Sequence, residues 1–252
     1  MNFDQLSDVL LNKSLLVCAG KKYRLLEIEF YYKSKEHNDE SIHGHPLQYI
    51  SGNWYFHRTS ATESSGYRGG TYKGLDITFG SDGNPGGILL RAMQSIENGE
   101  IIEGPCLLVD RILSDTMSSN IEELVKKIDL RVGILDNLYI LREELPYKDI
   151  YKAPRIGLRM ISPTYTMLEY RYISEPKLKK GKATLISSLY CLGHNIDKIG
   201  QLTGSTKKKI EEIIGTFNDG YNNSNIHDYI GKKLENKDIH RCYGCYKKFV
   251  GK

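Results

Sequence analysis

Between Ser14 and Tyr32 the chain is a run rich in Leu, Val, Ile and Tyr, broken once at Gly20-Lys21-Lys22. Aliphatic and aromatic residues on either side of a glycine-containing turn specify a β-hairpin, Leu15-Leu16-Val17-Cys18 followed by Tyr23 to Phe30. Further strands are predicted at Trp54–His57, Leu75–Phe79, Ile88–Met93, Ile156–Ile161 and Met167–Ile173. Glycines mark turns or loops at Gly66-Tyr67-Arg68-Gly69-Gly70 and Gly80-Ser81-Asp82-Gly83. Helices are predicted over Gly104–Leu113, opened by Pro105, and over Ile121–Ile128. Many short strands with few helices point to an α+β fold, with a mostly antiparallel, curved β core and flanking helices.

At 252 residues and 40% apolar content the chain can bury one large domain, or a domain with an appendage. Residues 1–13 contain no basic leader, and no stretch approaches the ~18 apolar residues of a membrane span. A soluble intracellular protein is expected, in the cytoplasm, nucleoid or nucleus. Five cysteines at irregular spacing argue against a secreted disulfide scaffold. Charge is unevenly spread: residues 176–252 hold 15 Lys/Arg against 7 Asp/Glu, leaving 20 against 24 in residues 1–175. A basic appendage on a mildly acidic body suits a polyanionic partner, and equally a solvated surface.

Glu175-Pro176 and the lysine-rich run to Lys182 read as a linker, so the expected domains are residues 1–175 and 176–252. In the second, Asn195 caps an apolar-periodic segment to Leu202, Thr203-Gly204-Ser205-Thr206 turns, and Lys207 to Phe217 continues with Ile210, Ile213, Ile214 and Phe217 on one face. Helix, glycine turn and helix with Lys207, Lys208 and Lys209 in the first turn resembles a helix-turn-helix, against the plainer reading of a helical hairpin. Cations there oppose the helix dipole, so an external anion explains them better than helix stability does. Near the C-terminus Cys242-Tyr243-Gly244-Cys245 supplies half a zinc site at most, and an unpaired tail or redox-inert turn is the favoured reading. No metal is assigned. No P-loop or dinucleotide pattern occurs, and no cofactor is expected.

Two carboxylates, Glu27 and Glu29, lie on one face of the early strand, where they are either idle in solvent or catalytic. Glu27-Ile28-Glu29-Phe30-Tyr31, Asp39-Glu40-Ser41-Ile42-His43, Gly52-Asn53-Trp54-Tyr55-Phe56-His57, Ile88-Leu89-Leu90-Arg91-Ala92 and Gly104-Pro105-Cys106-Leu107-Leu108 occur in that order. After them come Pro154-Arg155-Ile156-Gly157-Leu158 and Tyr170-Arg171-Tyr172-Ile173-Ser174. Together, over residues 9–175, they resemble the alkyladenine (3-methyladenine) DNA glycosylase family, whose fold is like the C-terminal domain of formyltransferases. The resemblance implies that Glu29 activates water, that Arg91 holds water and carboxylate, and that Tyr31, His43 and His57 flank an extruded base. Tyr55 shares the face of His57. Leu158 lies in a segment resembling one whose main chain, in the family, holds water near the glutamate.

Two positions depart from the family pattern. His57 stands where the family usually has Tyr, and Asp76 where it has an Asn that screens exocyclic groups. An ionised Asp only accepts, so a base presenting a donor is expected there. The family also inserts a Tyr into the duplex, and Tyr67 or Tyr72 is the counterpart. The resemblance thus implies a monofunctional DNA glycosylase, acting as a monomer on double-stranded DNA that contains a modified base and leaving an abasic site, in repair or phage defence. The rival is a non-catalytic reader of modified bases or a helix-turn-helix regulator. No membrane partner is expected.

Overall fold

The computed structural model of the protein describes residues 2–234 and 236–251. It is α+β and divides into two units, Met1–Asn38 with Ile42–Ile150, and Asp39–Ser41 with Tyr151–Lys252. The division falls at residue 151, so residues 151–175, grouped with the first domain by sequence, belong to the unit that holds the basic tail.

The first unit opens with α1 (Phe3–Asn12), which sequence periodicity did not single out. The Asn2 side chain accepts from the Asp4 and Gln5 N–H groups at 3.0 and 3.3 Å and so starts the helix. Strands β1 (Ser14–Cys18) and β2 (Lys21–Tyr32) form the predicted hairpin, with Leu16 opposite Tyr23. Phe30, on the far face of β2 from the glutamates, stacks on Phe3 at 4.5 Å between ring centroids. Then come β3 (Trp54–Phe56), β4 (Leu75–Thr78), β5 (Gly86–Ser95) and β6 (Ile101–Glu103). Helix α2 (Pro105–Asp115) buries Leu108, Val109, Ile112 and Leu113 at helical spacing. Helix α3 (Ile121–Leu124) ends four residues before the predicted Ile128. Its last turn tightens into i→i+3 bonds, Lys126 N–H to the Glu123 carbonyl and Lys127 N–H to that of Leu124. Strand β7 (Leu138–Arg142), also unforeseen, pairs with β1. The pairings are antiparallel in the order β3-β4-β5-β2-β1-β7, with β6 on β5.

In the second unit β8 (Tyr151–Ala153) pairs antiparallel with β9 (Arg171–Ile173), Lys152 opposite Tyr172. The strand predicted over Ile156–Ile161 is not a ladder strand. Gly157 sits at φ +77°, and the segment bonds instead to residues 231–234, with Met160 N–H donating to the Lys232 carbonyl. Likewise the strand predicted from Met167 begins only at Arg171, because α4 (Pro163–Thr166) and a turn precede it.

Helices α5 (Lys182–Cys191), α6 (Ile196–Thr203), α7 (Lys207–Asn223) and α8 (Asn236–Val250) complete the chain. The expected linker is tied down. Leu178 is buried, and Gly181, at φ +69°, opens α5 with its carbonyl accepting from Arg171 at 2.7 Å. A Cβ on Gly181 would lie 1.7 Å from that guanidinium, so only glycine fits. Helix α8 corrects the reading of Cys242 and Cys245 as a tail or turn. One helical turn apart, both thiols point into a core with Phe217, Ile226, Tyr243 and Tyr246. Among the described residues no helix is long and apolar enough to cross a membrane.

Candidate active site

Register on the sheet of the first unit builds the site. Tyr55 on β3 lies opposite Asp76 on β4, Asp76 opposite Leu89 on β5, and Leu89 opposite Glu29 on β2. Laterally paired residues project to one face, so these four side chains form a row across four strands. Alternation adds Tyr31, Arg91 and His57 to that face. Successive strands are ~4.8 Å apart, which spreads the row over roughly 14 Å.

At one end Arg91 bridges two carboxylates. Its Nε donates to Glu27 Oε1 at 3.0 Å and a terminal nitrogen to Glu29 Oε2 at 3.3 Å. The Tyr31 hydroxyl donates to the same Glu29 oxygen at 2.6 Å. Register shifts between Leu25 and Ile28 mark a β-bulge in β2, and the local twist it introduces lets one guanidinium reach both glutamates. Glu29 is 0% exposed and Glu27 and Arg91 are buried with it. Burial opposes the charge on Arg91, but the Glu29 and Glu27 carboxylates more than offset it and hold the guanidinium protonated well above its ordinary range. Tyr31 was expected to offer its ring face to a base. Its hydroxyl also fixes the carboxylate.

Toward the other end Tyr55 is a hub. Its fully buried ring lies 5.0 Å from His45, 5.8 Å from His57 and 6.1 Å from His43. Burial and the Asp76 carboxylate push the phenol pKa up, so Tyr55 keeps its proton and its hydroxyl donates to His43 Nδ1. Burial, then the charge of Arg68, drops the His43 pKa to about 4. His43 is therefore neutral near pH 7, and accepting at Nδ1 leaves its proton on Nε2.

Asp76 does not stand free as a selectivity gate. Oδ1 accepts from His57 Nε2 at 2.8 Å and Oδ2 from the Gln48 amide at 3.2 Å. Two glycines make the room: a Cβ on Gly87 would lie 2.7 Å from Asp76 Oδ2, and one on Gly74 would lie 2.6 Å from His57 Nδ1. His57 thus has one nitrogen bonded to Asp76 and the other against the chain. It presents its ring.

Two members of this network escaped the sequence reading. His45 caps the short 3-10 turn Pro46–Tyr49, accepting from Leu47 N–H, while Gln48 reaches back to the His45 N–H. The signal was available: a cap residue, Pro at the first position and Gln two residues later form a capping box.

Of the two candidate wedges, Tyr67 is pinned. The Arg58 guanidinium lies 4.1 Å over its ring and donates to its hydroxyl at 3.0 Å. Tyr72, at the end of the 3-10 turn Gly70–Tyr72, is 72% exposed. Leu158 lies in the second unit, where its carbonyl accepts from Leu234 N–H, and Lys207, Lys208 and Lys209 are exposed at the start of α7. Among the described residues no group of three or more His, Cys, Asp or Glu side chains is placed to hold a metal ion.

No family model matches the chain. The uncharacterized protein L759 of Acanthamoeba polyphaga mimivirus is 39% identical over 199 residues, which cover 73% of this chain and 91% of that protein. At that identity and coverage, the chain belongs to the same family as mimivirus protein L759.

Proposed function

We propose that the protein is a monofunctional DNA glycosylase that extrudes a modified base and hydrolyses its N-glycosidic bond. The observation that carries this reading is Glu29, buried on the sheet face and gripped by Arg91 and Tyr31. The carboxylate takes a proton from water as the water oxygen bonds to the sugar C1′. The C1′–N bond breaks with its electron pair on the departing base, and the proton that Glu29 took from water passes through solvent to that base. Positive charge building on the sugar is stabilised by the same carboxylate. Arg91 orients Glu29, the role of a positioning residue. No lysine Schiff base is involved, so strand scission requires alkali.

The extruded base lies along the row from the Tyr55 end toward Glu29, with its C1′–N bond facing the carboxylate. His43 offers an N–H there, which selects an exocyclic carbonyl oxygen or an unprotonated ring nitrogen on the base. His57 offers a stacking face, and Tyr72 is the free aromatic side chain for the gap left in the duplex.

The test is to incubate the protein with duplexes carrying alkylated, deaminated or bulky modified bases, then count alkali-labile sites and identify the released bases by mass spectrometry. Glu29→Gln keeps the shape of the side chain and should lower release by about 10²–10⁴-fold. Equal release by wild type and variant defeats the mechanism. Tight binding to modified duplex without abasic product, in wild type, replaces it with a non-catalytic reader.

A further inference from the structure

The Tyr55 end of the sheet-face row carries a cation that nothing in the first unit neutralises. Arg68 is held against the chain just past β3: its N–H donates to the His57 carbonyl at 2.8 Å, and its side-chain Nε donates to the Arg58 carbonyl at 2.8 Å. Among the described residues its two terminal nitrogens make no hydrogen bond, and no carboxylate lies within ion-pair distance. The side chain is half-buried. After burial itself, Arg68 is the largest cause of the low His43 pKa, so its charge stands beside that imidazole. A partly desolvated guanidinium without a counter-charge is costly unless something outside the chain pairs with it.

Two buried donors nearby give a second, independent indication. His45 accepts from Leu47 N–H at Nδ1, 3.2 Å away, which leaves its proton on Nε2. His45 is 1% exposed, and that Nε2 meets no acceptor. Arg58 uses its terminal nitrogens on the Ser65 carbonyl at 2.5 Å and the Tyr67 hydroxyl at 3.0 Å, but its Nε is buried without a partner. Native interiors leave few donors unmade, and each one that is left destabilises the fold.

These groups surround one place. The His45 ring lies 5.0 Å from that of Tyr55, whose hydroxyl donates to His43. The charge of Arg58 bears on His45 as that of Arg68 bears on His43. The acids that act on the two imidazoles are Asp76, whose oxygens already accept from His57 and Gln48, and the exposed Glu63. Buried walls of low dielectric concentrate the resulting positive potential, and half-buried Arg68 is the group that can touch a ligand.

We infer that Arg68 binds a backbone phosphate flanking the extruded nucleotide, its two terminal nitrogens donating to the non-bridging oxygens. The chain at Arg68 leads from the His57 side of the base slot to the exposed Tyr72 four residues on. A nucleotide swung out of the duplex carries its phosphates past that rim. The inference rests on reading the row as a slot for an extruded nucleotide, and it names a second group of that substrate that the site grips.

The experiment uses the full chain carrying Glu29→Gln, so that nothing is cleaved, and a duplex with one tetrahydrofuran abasic-site analogue, read by fluorescence anisotropy. Adding Arg68→Gln should weaken binding about tenfold. The thermal midpoint should fall by no more than about 4 °C, because the charge removed has no partner in the chain. Replacing one phosphate at a time by a neutral methylphosphonate then locates the contact. At one of the two linkages flanking the analogue the loss should be about tenfold with Arg68 present and under about twofold in Arg68→Gln. Equal losses in both proteins at every linkage, Arg68→Gln binding as tightly as its parent, or no measurable binding of the analogue duplex overturn the inference. So does Arg68-dependent binding of inorganic phosphate with no linkage-specific loss, which marks a site for a free anion. Base release plays no part in the measurement: if wild type frees no base while the coupling at one linkage holds, the cleavage mechanism fails and the phosphate contact stands.

Discussion

Two buried arginines, one in each unit, are used in opposite ways. Arg155 forms a closed fork with Asp39, 2.5 and 3.1 Å to the two carboxylate oxygens, and donates also to the Tyr165 carbonyl at 2.9 Å. Both side chains are fully buried. Arg91 divides its donors between Glu27 and Glu29, one bond to each. A matched bidentate pair fixes a segment and leaves neither partner available for other work. A guanidinium shared by two acids orients both on the sheet face. The first arrangement is a lock on the second unit, and the second is the setting in which a general base is proposed.

That contrast can be broken experimentally. The largest effect should come from Arg155→Met, which strands the Asp39 carboxylate in the interior and should lower unfolding free energy by about 3–5 kcal/mol in urea titrations. A loss below about 1 kcal/mol would mean that the fork is not a lock. Next is Gly87→Ala on the sheet face. Its Cβ would press on Asp76 and Gln48, and overpacking of this kind costs about 1–3 kcal/mol. Circular dichroism melts read the stability, and base release should fall with it if the His57–Asp76 pair is part of the pocket. A melt unchanged by the added methyl would show that the pair has room to move.

The smallest effect is a pH dependence. The folded-state pKa of His43, about 4, lies below the ordinary value of 6.5. Between these values the unfolded chain binds the proton that the folded chain refuses, so stability rises with pH across this window. The contribution is complete above pH 6.5 and is lost as pH falls toward 4. Burial, Arg68, His57 and His45 all push the pKa down, and Asp76 opposes them. Wild type should therefore lose more stability than His43→Gln between about pH 6.5 and 4.5. A variant that loses as much would place the proton-sensitive group elsewhere.

Much of the scaffold was legible from the chain. The hairpin, Trp54–Phe56, Leu75–Thr78 and β5 were found because their side chains alternate or run apolar between glycine turns. Helix α6 was found from its Asn195 cap and α7 from the turn before it and its apolar face, although α7 continues six residues past Phe217. The failures share a cause. Segment 156–161 reads as a strand by composition, but its backbone partners are more than 70 residues away at 231–234, and no local signal names them. Cys242 and Cys245 read as an unpaired tail or redox-inert turn, with half a metal site as the alternative, and burial in the α8 core was invisible until that helix had neighbours.

The sequence by itself determined which residues share a face: Glu27 with Glu29 and Tyr31, Tyr55 with His57, because a pleated strand alternates by rule. Only the tertiary structure decided which partners they meet. Arg91 is 64 and 62 residues from the glutamates it holds, and Asp76 is 19 from His57 and 28 from Gln48. Periodicity sets the direction in which a side chain points, whereas strand register and a single bulge set what stands opposite it, and both follow from long-range pairing.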